Sequence, residues 1–127
     1  MQKINKSTLI IGASTNPERY SNKAFYQLKA ASHTVFAMGF RTGVLEDTII
    51  HTAHQSAWKN VDTVTLYLGS SRQEMYYDYL IKLKPRRVIF NPGTENEKFE
   101  RLLKEAGIET EHERASFTCT KWRKVVM

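Results

Sequence analysis

The chain has 127 residues, 41% hydrophobic and 25% charged, a mixture that fits one globular domain with a single core and excludes a disordered chain. Its net charge of +6 is uneven: residues 1–113 hold 15 Lys and Arg against 13 Asp and Glu, and residues 114–127 add four cations with no acid. The nearly balanced body argues against nucleic acid as a partner, no apolar run reaches the roughly 18–20 residues of a membrane span, and the lone Cys119 excludes an internal disulfide and fits a cytoplasmic location.

In chain order, Leu9-Ile10-Ile11 is a short apolar strand that stops at Gly12-Ala13-Ser14. Pro17 stands where a helix can begin, since its fixed φ and missing N–H cost nothing in a first turn. The helix expected over about 18–31 places Tyr20, Ala24, Leu28 and Ala31 on one buried face. A second strand, Thr34 to Met38, ends at Gly39. A turn at Thr42-Gly43, a short strand at Thr48-Ile49-Ile50 and a helix or loop through Ala57-Trp58 follow. Val64 to Leu68 is the next strand, and Ser70 or Ser71 is expected to cap a helix whose apolar face is Met75, Tyr76, Tyr79, Leu80 and Leu83, halted by Pro85. Val88-Ile89-Phe90 is broken by Asn91-Pro92-Gly93. Thr94 with Glu97 reads as a capping box before a helix carrying Phe99, Leu102, Leu103 and Ala106, and Ile108 to Thr110 is a last short strand.

Strands of near-continuous apolar residues alternating with helices predict an α/β fold: a doubly wound, mostly parallel, Rossmann-like sheet of order 3-2-1-4-5 in a three-layer α/β/α sandwich. Ligands of such sheets bind outside the carboxyl ends of the strands, where the order reverses. Four loops converge there: Gly12-Ala13-Ser14, Gly39-Phe40-Arg41, Gly69-Ser70-Ser71 and Asn91-Pro92-Gly93. The first leads from a strand into a helix N-terminus, which aims backbone N–H groups and a positive dipole end at a phosphate. The dinucleotide fingerprint is incomplete, with Ser14 and Pro17 where glycines belong. The acid that would hold an NAD ribose is also replaced, by Gly39-Phe40-Arg41. A guanidinium there suits an additional ribose phosphate, which leaves coenzyme A or NADP as candidates. Arg19 could also face a diphosphate, against the plainer reading of a solvated arginine.

Catalytic and metal signals are weak. His51 and His54 lie three apart without an acidic or cysteine partner, so a surface pair is the better reading than a metal site. Ser14, Ser70 and Ser71 show no histidine and acid arrangement, and Cys119 carries no sign of activation. No catalytic residue is assigned, and the chain reads as a binding module rather than an enzyme. In the basic segment, Trp122 could stack on a nucleic acid base, but a solvated terminus is the plainer account.

Three segments carry a resemblance: Gly12-Ala13-Ser14-Thr15-Asn16-Pro17-Glu18-Arg19-Tyr20-Ser21, Val61 to Leu68, and Lys84 to Asn96. Together they resemble the small single-domain CoA-binding proteins of bacteria, which are similar to the CoA-binding domain of the succinyl-CoA synthetase α subunit. The resemblance covers about residues 5–112. It implies a domain over 1–113 that binds coenzyme A or an acyl-CoA as a carrier, sensor or accessory module, with a divergent basic tail over 114–127. It further implies that Gly12, Ala13, Ser14 and Thr15 wrap the diphosphate with Arg19 and Ser21 close by. Gly39 and Arg41 then lie near the adenosine and its 3′-phosphate, and Leu68, Gly69, Asn91, Pro92 and Gly93 line the adenine or pantetheine path. A partner enzyme or a second copy of the chain is the expected macromolecular partner. The alternative is an NADP- or other nucleotide-binding enzyme or regulator using the same crevice.

Overall fold

The computed structural model describes residues 7–55, 58 and 60–112. Seven strands form one sheet: β1 (Thr8–Ile11), β2 (Val35–Met38), β3 (Gly43–Leu45), β4 (Thr48–His51), β5 (Thr63–Leu66), β6 (Arg87–Phe90) and β7 (Glu109–His112), in the order β3-β4-β2-β1-β5-β6-β7. Three helices cover it, α1 (Tyr20–Ala30), α2 (Tyr77–Leu83) and α3 (Glu97–Glu105). All pairings are parallel except β3 with β4.

The parallel core β4-β2-β1-β5-β6 has the order 3-2-1-4-5 expected of the first five anticipated strands, and the sixth, β7, extends it beside β6. The sequence reading lacked the edge hairpin. Its two-residue turn, Glu46-Asp47, carries no glycine or asparagine, and Glu46 adopts φ 54° at the expense of the usual turn signal.

Because strand side chains alternate, the sheet has two apolar faces. Ile10, Val35, Ala37, Ile50 and Ile89 meet Phe25 and Leu28 of α1 on one face. Leu9, Ile11, Met38, Leu66, Val88 and Phe90 meet Tyr76, Leu80, Phe99 and Leu103 on the other. The three-layer arrangement follows from this division.

Several local expectations are corrected. Tyr20 does not share the buried face of α1: it is 62% exposed at the helix start, and the buried stripe is Ser21, Asn22, Ala24, Phe25 and Leu28. The helix begins two residues later than expected, so Tyr20 is its first residue, and its ring lies beside the Lys23 ammonium at 5.6 Å. Neither Ser70 nor Ser71 caps a helix. Gly69 precedes a 3-10 turn (Ser70–Arg72), a second such turn (Glu74–Tyr76) follows, and α2 starts only at Tyr77, leaving Met75 exposed. The capping residue of α3 is Asn96, whose Oδ1 accepts the Phe99 N–H at 3.1 Å, while Thr94 turns its hydroxyl to the Asn91 carbonyl. The 114–127 tail, with Cys119 and Trp122, lies outside the described residues, as does Ala57.

Candidate functional site

The carboxyl ends of β1, β2, β5 and β6 share one edge of the sheet, and their loops use glycine in two different ways. Gly12 (φ 99°) donates its N–H to the Met38 carbonyl, and an added Cβ would lie 3.0 Å from the Tyr67 backbone. A Cβ on Gly39 would lie 2.5 Å from the Ala13 carbonyl oxygen. Gly12 thus lets the β1 end pack on the β5 end, and Gly39 lets the β2 end pack on the β1 loop. Gly69 and Gly93 differ: a Cβ at either would meet no atom within 4 Å. Their bare backbone faces open space.

Beyond Gly12 the chain winds into α1 through short side-chain bonds. Ser14 Oγ accepts the Asn16 N–H (3.0 Å), and Asn16 Oδ1 accepts the Glu18 N–H (2.9 Å). Asn22 Nδ2 donates to the Ser14 carbonyl at 3.0 Å, pinning the loop to the helix. After this winding, the amides of Ser14, Thr15, Tyr20 and Ser21 have no acceptor among the described residues. No acid lies in the first turn of α1, and Arg19 flanks it without a side-chain cap. Free N–H groups, a positive dipole end and a nearby cation are what an anionic diphosphate requires.

The sequence-derived residues separate by exposure. Ser14, Thr15, Arg19, Arg41, Gly69, Pro92 and Gly93 reach the surface, whereas Ala13, Ser21, Gly39, Leu68 and Asn91 are buried. Thr15 folds over the start of β3, where a Cβ on Gly43 would come within 2.8 Å of its Cγ2. Arg41 forms no ion pair among the described residues. Asn91 spends its side-chain amide inside the sheet, donating to Thr65 Oγ1 (2.7 Å) and the Leu66 carbonyl (2.8 Å). Its own carbonyl accepts from Thr94. Asn91 thereby sets the path of the Pro92-Gly93 turn, where the Gly93 N–H donates to Glu95 Oε1 at 2.9 Å.

Gln73 and Arg72 at this edge escaped the sequence reading, and Phe40 entered it only as the middle of the Gly39-Phe40-Arg41 loop. Gln73 is fully buried and joins two loops: Nε2 donates to the carbonyls of Leu68 (2.9 Å) and Thr94 (2.7 Å), and Oε1 accepts from Asn96 (3.0 Å). A glutamine inside an expected amphipathic helix gives no hint of this. Phe40 and Arg72 meet across the crevice, with the guanidinium carbon 4.8 Å from the ring centroid.

The histidines pack on aromatic rings. His51 stands edge-on to Trp58 and His54 stacks on Tyr79, so the pair does not converge on a common point. Among the described residues no group of three or more metal-ligating side chains occurs. A hollow of about 260 Å³ opens between Val35–Ala37 and Asp47–Ile49, closed by His51 and Trp58. None of the four glycine loops lines it, and it falls below the roughly 300–1,000 Å³ of sites for drug-sized ligands. The strand-end crevice is the better candidate because its donors converge.

Residues 6–119 match the family model of a CoA binding domain, a stretch that continues past the end of the resemblance noted above. An uncharacterised protein of known crystal structure is 38% identical, with a TM-score of 0.87 over 94% of this chain and 98% of that one. A protein from Thermus thermophilus (22% identity, TM-score 0.82, covering 93% of this chain and 90% of that) shares the fold. So does a hypothetical protein from Pyrococcus horikoshii OT3 (19%, TM-score 0.81, covering 93% and 83%). No curated protein matches the sequence.

Proposed function

Because the chain belongs to the CoA binding domain family, we propose that it holds coenzyme A or an acyl-CoA along the carboxyl edge of its sheet. The observation that carries this reading is the turn from β1 into α1. Its amides at Ser14 and Thr15 and at the head of α1 have no acceptor among the described residues, and the first turn of α1 holds no acid. The ligand's diphosphate would take those donors, with Arg19 beside it and Ser21 bracing the first turn from beneath. Arg41, without an ion pair among the described residues, would take the ribose 3′-phosphate, and Gly39 holds the β2 loop at contact distance from the β1 loop so that both groups stay in register. Open backbone at Gly69 and Gly93 lets a slender pantetheine arm lie against the chain, over a floor made by Leu68, Asn91 and Pro92.

We read the protein as a cytoplasmic bacterial carrier, sensor or accessory module, with residues 1–113 as the binding unit and 114–127 as an appended basic segment. The crevice hydroxyls support binding over catalysis. Ser14 Oγ is committed to an amide, and among the described residues no imidazole reaches Ser14, Ser70 or Ser71. A partner enzyme or a second copy of the chain would then receive or sense the bound thioester.

Titration calorimetry and thermal melting with CoA, acetyl-CoA, NADP and ATP test the proposal. CoA species are expected to bind tightest and raise the melting midpoint by mass action. No stabilisation by any CoA species at millimolar concentration would overturn it, and tighter binding of NADP would favour the nucleotide-dependent enzyme instead.

A further inference from the structure

The two edges of the sheet are built differently. β7 closes one side with Glu109, Thr110, Glu111 and His112, the kind of polar and charged residues that keep an edge from pairing with another chain. β3 closes the other side with Gly43, Val44 and Leu45 and carries no charge. Leu45 is buried in the cluster beneath α1, but Val44 is 61% exposed, and Ile49, directly opposite it in the hairpin, is 55% exposed. Neither of these two belongs to a core cluster. Large apolar side chains set side by side at an open sheet edge mark a surface that another chain covers.

The hairpin also sets which backbone groups face outward. Leu45 and Thr48 flank the two-residue turn and form its hydrogen-bonded pair, so the next pair, Val44 with Ile49, is the non-hydrogen-bonded one. The Val44 N–H and C=O therefore point away from β4, to the side of β3 where no strand lies among the described residues. Val44 thus offers a donor, an acceptor and an apolar side chain at one point. Charge is arranged about the same point. Arg41 and Thr42 precede β3, and Glu46 and Asp47 follow it. Asp47 is 74% exposed although Lys29 reaches it at 3.2 Å, and Arg41 forms no ion pair among the described residues. A strand with a cation before it and acids after it sets unlike charges together when it meets a copy of itself antiparallel, and like charges when it meets one parallel.

We propose that β3 is the self-pairing edge of a twofold dimer, in which a second copy of this chain continues the sheet antiparallel. The axis passes at Val44. The Val44 N–H of each copy donates to the Val44 carbonyl of the other, Gly43 lies opposite Leu45, and Arg41 of each copy comes beside the Glu46-Asp47 turn of the other. Such an interface is isologous, each contact being made twice. On the face away from α1, Val44 meets its counterpart, and Ile49 and Phe36, which line one hollow, extend the apolar row on both sides of the axis. A guanidinium has five N–H donors, so Arg41 can face the turn of a copy as well as the crevice of its own chain. A three-residue strand buries less than the roughly 1,200 Å² at which stable interfaces begin, so the dimer is expected to be weaker than about 1 μM. The pairing stands independently of the coenzyme A reading.

The test is sedimentation equilibrium of the full chain without ligand, from about 1 μM to about 1 mM, the span over which such an affinity changes the dimer fraction. The mean mass should rise from the 14.7 kDa of one chain toward twice that value. Val44→Lys, which sets two like charges at the axis, should stay monomeric throughout, and an unchanged melting midpoint of the dilute variant shows that the fold persists. Arg41→Asp and Asp47→Arg should each weaken association roughly 2- to 30-fold, two charge pairs being lost. An equal mixture of these two variants should associate again as a mixed dimer, because each supplies the charge the other needs; misfolding cannot imitate that recovery. Hydrogen exchange at the Val44 amide should slow as concentration rises, while the amides of β7 stay unchanged. A chain that is monomeric at every concentration overturns the proposal. So does a dimer that survives Val44→Lys, or one that slows the β7 amides and leaves Val44 unprotected.

Discussion

Replacing Gly69 with alanine separates the needs of the fold from those of the ligand. Gly69 has φ −64° and ψ 159°, a conformation open to any L residue. A Cβ there would meet no atom within 4 Å. The folded state therefore accepts the methyl group without strain, while the unfolded chain loses freedom. Stability should rise by about 0.4–1 kcal/mol, or about 1–5 °C in melting midpoint for a chain of this size. Binding should move the other way. If CoA passes against the bare backbone at Gly69, the methyl group overfills the contact at a cost of about 1–3 kcal/mol, which weakens affinity roughly 5- to 150-fold. Thermal melting without ligand, then with increasing CoA, reads both effects in one experiment. Gly39→Ala is the contrast, since its Cβ would lie 2.5 Å from the Ala13 carbonyl; it should lower both the midpoint and the affinity. A fall in the midpoint of Gly69→Ala would refute the open-space argument. An affinity for CoA within about twofold of the unaltered protein would refute the path assigned to the ligand.

Arg41→Gln should weaken CoA about 10-fold, in line with the loss of one exposed charge-assisted bond, and leave dephospho-CoA unchanged in parallel titrations. Asn91→Leu removes the donor to Thr65 Oγ1 and the Leu66 carbonyl; it should cost about 1–3 kcal/mol in urea unfolding and disorder the Pro92-Gly93 turn. Glu100 gives the acid limb of the stability profile. Burial pushes its carboxyl upward, but hydrogen bonds from Thr110 (2.9 Å) and His112 (3.1 Å) and the charges of His112 and Lys104 bring it net below its ordinary 4.5. A depressed carboxyl contributes stability above its unfolded pKa and loses it as pH falls through the lower folded value. Melting midpoints taken from pH 6 to pH 3 should therefore drop less steeply in Glu100→Gln than in the unaltered protein, with the difference confined to the range from about 4.5 downward.

The parallel core was legible because β1, β2, β5 and β6 are short apolar runs followed by glycine or asparagine, and because strand and helix alternate. That is enough to place Gly12, Gly39, Gly69 and Asn91 at one edge of the sheet. It is not enough to assign their roles, because a strand-end glycine looks the same whether it admits a neighbouring loop or leaves room for a ligand. Only the surroundings divide them: a Cβ on Gly39 strikes the Ala13 carbonyl, and one on Gly69 strikes nothing. Asn91 shows the same limit for a polar residue, since an asparagine after a strand reads as a ligand contact until its amide is found bonded to Thr65 and Leu66.

Pairwise meetings between distant loops were beyond reach for a different reason. Phe40 and Arg72 are separated by a full β-hairpin, a connection and β5, and neither stands in a periodic pattern that would mark it. Gln73 joins the Leu68 and Thr94 carbonyls across the same edge, and it does so from between two 3-10 turns that helical periodicity reads as the start of a longer helix. The two adjacent residues therefore divide the work at the crevice. Gln73, buried, ties the β5 loop to the β6 loop; Arg72, exposed, ties it to the β2 loop. A loop held on one side by the hydrogen bonds of Gln73 with Thr94 and Asn96 and on the other by a single exposed cation–π contact has a firm side and a yielding side. Entry of a bulky nucleotide is then expected between β2 and β5, through the Phe40–Arg72 contact, rather than between β5 and β6. The loop after β1, which carries the amides of Ser14 and Thr15, follows the strand that lies between β2 and β5 in the sheet.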